Sequence, residues 1–305
     1  MSWVTWRQHR LEGAWSLAFG AALAATIAFV AYELHSANCA GNGDFGMSYC
    51  LGGDLPSQLA QKMIELNLYT YALVVLPALA GAFVGCPLVA REIENGTHRL
   101  AWTQGVTRLH WLAVKLVLIF VPLLIGAAAV GILETVLINQ TGSNANHWGF
   151  FDQQAPVTVA STLFALSLGV AVGAVVGRSV PAMAVTLVVF VIVRIGIAEL
   201  ARPIFEAPLA YTTHDMAKFN VPPPGYPTAW WIDQPSLYDS AGHMLSTGFR
   251  PGPGSPVPPG VAYAIQHYQP GDRFWAFQSI ESAILAFLAV ILVGFAIYWV
   301  TRRVS

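Results

Sequence analysis

Three histidines of the long segment 201–275 could in principle bind metal: His214, beside Asp215, and His243 and His267. Their spacing matches no ligand motif. The chain also lacks a His-Glu-x-x-His zinc motif, a Gly-x-Ser-x-Gly nucleophile turn and a paired acidic motif within an apolar stretch. No catalytic residue and no metal site is therefore assigned, and the histidines read as ordinary loop residues. No Gly-x-x-x-x-Gly-Lys-Ser/Thr loop occurs, so the chain does not cradle ATP by that device. What stands out instead is a set of ionisable groups inside apolar stretches: Glu134, Arg194, Glu199 and Glu281. Each costs about 2.5 to 3.5 kcal/mol at the centre of a membrane helix. At roughly 1.5 Å per residue, Glu134, Arg194 and Glu281 fall near one level. Arg194 is expected to pair with Glu281 or Glu134 facing the bundle interior, where the pair either serves a gate or pathway or only fixes how helices pack.

The elements that carry these residues follow from composition. Of 305 residues 55% are hydrophobic and only 10% charged, against roughly 25% charged in a soluble domain. Apolar stretches of the roughly 20 residues needed to cross a bilayer are read at about Ala14 to Tyr32, Leu68 to Ala90, Trp111 to Ile138, Val157 to Gly177, Val180 to Leu200 and Ala276 to Val300. Backbone groups in lipid must be satisfied within their own segment, and the runs are too continuous for alternating barrel strands. The expected fold class is all-α, a polytopic membrane protein of about six helices. The first run follows Arg7 and Arg10 but exceeds a signal-peptide core, so it reads as an uncleaved anchor.

Placing both termini in the cytoplasm puts Arg7, Arg10, Arg91, Arg99, Arg108, Lys115, Arg178, Arg302 and Arg303 inside and leaves Lys62, Arg202, Lys218, Arg250 and Arg273 outside, the positive-inside pattern. The longest outer segment, residues 201–275, is rich in proline and aromatics, including Pro222 to Pro224, Trp230, Trp231 and Tyr263. Proline at that density opposes long helices and central strands, while the aromatics argue against disorder. An ordered, irregular external cap is expected. Cys39 and Cys50 share the first outer loop, where they either form a disulfide or remain two free thiols; Cys86 reads as a small core residue. Gly169, Gly173 and Gly177 line one face of the fourth span, favouring close packing within the subunit over a dimer seam.

Between the second and third spans runs Arg91-Glu-Ile-Glu-Asn-Gly-Thr-His-Arg-Leu-Ala-Trp-Thr-Gln-Gly-Val-Thr-Arg108. Arg91 to Glu94 extends the second span into water, Asn95-Gly96 tolerates a left-handed turn and Thr97 can cap a short interfacial helix. On it Trp102 can anchor at the headgroups, with Arg99 and Arg108 facing phosphate or protein.

This stretch resembles the coupling segment of type-2 ABC exporter permeases, whose Arg-Glu-x-Glu-x-Gly-Thr pattern is met by Arg91, Glu92, Glu94, Gly96 and Thr97. Trp3 to Arg10 resembles the interfacial elbow helix of these permeases, and the six spans and the ending from Phe274 to Arg303 are similar too. Residues 201–275 depart from the pattern, being longer and richer in proline than the usual hairpin. The resemblance implies a single transmembrane domain over 1–305, with an elbow at 1–12 and coupling at 91–108, in a bacterial cell membrane. It implies a permease homodimer working with two copies of a separate ABC ATPase that carries the ATP and Mg, an amphipathic or hydrophobic substrate moved outward, and no nucleic-acid partner. The alternative is a membrane scaffold or membrane enzyme with its site in residues 201–275.

Overall fold

The computed structural model describes residues 75–97, 102, 107–140, 148–214, 228–248 and 258–303, together with helical positions at 25, 28, 29 and 32. The elbow at 1–12, most of the first predicted span, Cys39, Cys50 and Arg99 lie outside the described residues. Among the described residues five helices are long and apolar enough to cross a membrane. They are α1 (Val75–Glu94), α2 (Arg108–Gln140), α3 (Ala155–Val176), α4 (Ser179–Gly196) and α5 (Phe274–Arg302). The chain is thus a multi-pass, mainly helical membrane protein. The described residues divide into two compact units, one within 1–145, 152–195 and 279–305, the other within 146–151 and 196–278.

In the first unit α1 and α3 are largely buried, whereas α2, α4 and α5 present apolar side chains such as Ile125, Ile192 and Phe287 outward. Such outward faces suit lipid, which lets an apolar surface remain uncovered. The buried centre joins Leu88 and Val89 of α1, Trp111 and Leu112 of α2, and Leu166 and Val170 of α3. At that centre α1 and α3 meet backbone to backbone. A Cβ added at Gly85 would lie 2.8 Å from the Leu166 carbonyl oxygen, and one at Gly173 would lie 2.6 Å from that of Cys86. The glycine stripe is therefore a seam within the chain. Helix α1 widens into a π turn over Gly81–Gly85 before Pro87. A proline lacks the N–H and its ring crowds the carbonyl four residues back, and the wider turn accommodates both. Cys86 is buried against α4, its Sγ 3.0 Å from Thr186 Oγ1.

The second unit differs from the irregular segment anticipated there. It holds a five-stranded antiparallel sheet in the order β1-β5-β3-β4, with β2 also on β5. The strands are β1 (Leu209–Thr213), β2 (Trp230–Trp231), β3 (Ser236–Tyr238), β4 (Met244–Thr247) and β5 (Tyr263–Gln269). The described prolines of this segment, Pro203, Pro208, Pro235, Pro258, Pro259 and Pro270, all lie outside the strands, so none of them deletes a ladder donor. Composition averaged over the segment hid strands this short. The β5 pattern alternates, with Ala264, Gln266 and Tyr268 buried beside Leu237 of β3. Beside the sheet, Trp148 stacks on Phe151 and Trp230 and meets Phe274 and Phe277 edge-on, with ring centroids 5.2 to 5.8 Å apart. Leu237 is fully buried, so Leu237→Ala should destabilise this unit by about 2 to 5 kcal/mol. Faster limited proteolysis within residues 228–248, with the helices still resistant, is the expected readout.

Candidate functional site

The stretch from Arg91 to Arg108 ends α1 and begins α2, and its side chains reach three other helices. Arg91 is exposed, while Glu92 turns inward and pairs with Lys115 of α2. Lys115 is buried; its ammonium also donates to the Leu88 carbonyl at 3.3 Å and lies 4.2 Å from the centre of the Trp111 ring. Burying such an ion requires this degree of compensation, because desolvation costs several kcal/mol. Glu94 accepts hydrogen bonds from the backbone N–H and the hydroxyl of Ser179, each 3.0 Å, at the start of α4. A carboxylate there meets the unsatisfied donors and positive end of the helix.

Gly96 takes φ +70, the left-handed turn expected of it, and an added Cβ there would touch nothing. Thr97 caps backwards, its hydroxyl donating to the Glu92 carbonyl at 3.5 Å. Arg108, expected to face phosphate or protein, donates instead to the Val300 and Thr301 carbonyls at 3.4 and 3.1 Å. Its guanidinium also covers the Trp102 ring at 4.2 Å, and Trp102 meets Trp111 edge-on at 6.0 Å. One short segment thus ties α1 to α2, α4 and α5. Exposed Arg91 and Thr97 and open Gly96 are left toward the outside.

Deeper in the helices, Arg194 binds Glu281 at 2.6 Å and Asp152 at 2.8 Å. Of the two anticipated partners Glu281 is realised, and Asp152 takes the second place. Glu199 is exposed, in the π turn Ile197–Ala201 that follows α4. Glu134 is fully buried, and neither carboxyl oxygen has a hydrogen-bond partner. Lys115, Ser179 and Asp152 were missed as site residues; only Lys115 carried a signal, as a lone lysine inside an apolar run. Removing the guanidinium with Arg194→Ala would take the bound cation from buried Glu281, a change expected to cost about 3 to 5 kcal/mol. Arg194→Lys should lose part of that, since one ammonium lacks the planar fork that serves two carboxylates. Thermal unfolding in detergent gives the order.

In the sheet unit His243 Nδ1 lies 3.1 Å from Asp239 and His267 Nδ1 lies 2.6 Å from Asp233. The backbone N–H of His243 is the main cause holding the Asp239 carboxyl below its usual range, helped by the imidazole and the Ala241 N–H. The first is a local turn contact, the second joins β5 to the segment after β2, and among the described residues no three metal-capable side chains cluster.

The family model described as ABC-2 membrane transporter related matches residues 13–202, well over half of the chain and inclusive of Arg91 to Arg108. No curated protein and no solved structure matches. With its apolar helices and this match, the chain belongs to the ABC-2-related membrane transporter family and is an ABC-2-type permease.

Proposed function

We propose that the chain is the membrane subunit of an ATP-driven exporter, and that Arg91 to Arg108 receives the motion of a separate ATPase. The observation carrying this reading is the fastening of that segment. Glu92 holds α2 through Lys115, Glu94 holds the start of α4 and Arg108 holds the end of α5. A push on the turn at Gly96 and exposed Thr97 would therefore displace several spans together. In this reading the segment and both termini are cytoplasmic, as the Lys and Arg distribution favours, and the membrane is that of a bacterial cell. Two permease copies work with two ATPase copies, ATP and Mg reside on the ATPase, and an amphipathic or hydrophobic substrate moves outward.

Affinity purification of the tagged chain from its native host in mild detergent tests this. ATP hydrolysis should accompany the wild-type chain and fall at least severalfold when Glu94→Ala and Gly96→Val are combined. Undiminished hydrolysis with the folded double variant would contradict the assignment.

A further inference from the structure

Among the described residues of the helical unit, the buried carboxyl of Glu134 has no partner to balance it. Arg194 is engaged by both Asp152 and Glu281. Glu134 has no share in that cluster. Its position on α2 lies between two contacts with the start of α3. Gly131 is so close that an added Cβ would come within 3.1 Å of the Ala155 Cβ, and the Thr135 hydroxyl donates to Gln154 Oε1 at 3.0 Å. Helix α3 brings no ionisable side chain to this boundary. Both carboxyl oxygens of Glu134 are buried without partners, as is Gln153 Oε1 in the turn just before α3. These are atoms that can accept but have nothing to accept from. Leaving such atoms dry is costly, most of all for a carboxylate, and intramembrane ionisable groups of this kind mark functional paths.

We propose that Glu134 is a binding site for the cationic group of an amphipathic organic cation, with the apolar part of the ligand held against the spans. The inference rests on the permease reading and gives its substrate class. An organic ammonium or phosphonium reaching the α2–α3 boundary supplies the missing counter-charge. An anionic amphiphile of equal shape would meet like charge at Glu134.

Tetraphenylphosphonium is the probe, with tetraphenylborate as its anionic counterpart of the same shape, on the full chain in lipid nanodiscs. Saturable phosphonium binding is expected, at least tenfold weaker in Glu134→Gln, with no saturable borate binding. Absence of saturable phosphonium binding, equal borate binding or unchanged affinity in E134Q would overturn the proposal. If E134Q does not fold, Glu134→Asp carries the test: binding weakened but retained is expected, and unaltered affinity overturns it. ATP hydrolysis by the co-purified complex is measured in parallel. Hydrolysis without phosphonium binding defeats only the cation site, whereas cation binding without an associated ATPase defeats the exporter reading.

Discussion

Valine in place of Gly169 should leave little folded protein in the membrane. A Cβ at Gly169 would press on the Gly81 carbonyl and lie 2.9 Å from the Cys86 amide nitrogen. These are backbone atoms on a buried helix and cannot swing aside as a side-chain tip would. Overpacking a core costs about 1 to 3 kcal/mol when side chains can shift, so a backbone clash belongs at or above the top of that range. Helices α1 and α3 would have to separate, loosening the contacts among Leu88, Leu166 and Val170. Gly126 and Gly294 provide the control, because an added Cβ at either meets nothing. Alanine at those two positions should leave the detergent size-exclusion profile and thermal midpoint essentially unaltered. The profile of G169V should lose its folded peak.

The second large effect is expected at Lys115. Lys115→Ala leaves Glu92 buried without its counter-ion, and breaking a buried pair from one side costs about 3 to 5 kcal/mol. Removing both charges is a different matter. Lys115→Met combined with Glu92→Leu replaces the pair by apolar groups of similar size, a change that is often neutral or stabilising. The melting temperature should therefore drop sharply in K115A and return close to wild type in the double variant. If K115A and the double variant melt alike, the pair contributes nothing and the fastening of α1 to α2 lies elsewhere.

Much of the helical architecture was legible because lipid imposes a simple rule: an apolar run of sufficient length must satisfy its own backbone. The ends of α3 and α4 could be read in the same way, with Gly177 at φ +64 closing α3. Gly169 and Gly173 announced a close approach, but a one-dimensional stripe does not name its partner, and Gly81 with Cys86 emerged only in three dimensions. Arg194 announced the need for a carboxylate. Choosing between Glu134 and Glu281 depended on helix rotation, and Asp152 entered because the short 3-10 turn before α3 returns it to the helices.

In the coupling segment Gly96 was legible from its tolerance of positive φ. Glu92 and Glu94 were matched as a motif, but their bonds to Lys115 and Ser179 depend on which way α1 turns as it leaves the core. The sheet was the largest departure. Strands of two to seven residues are masked by the prolines between them, and the pairing of β1 with β5 spans a sequence separation that local patterning does not encode.

The central claim, that an ATPase docks on the turn between α1 and α2, is tested most directly by a photo-crosslinking residue at exposed Thr97. With the intact complex in native membranes, irradiation should yield a covalent adduct between the chain and an ABC ATPase. The same residue at Phe287, exposed on α5, should yield none. An ATPase that co-purifies yet crosslinks equally from both positions, or never from Thr97, would contradict the account.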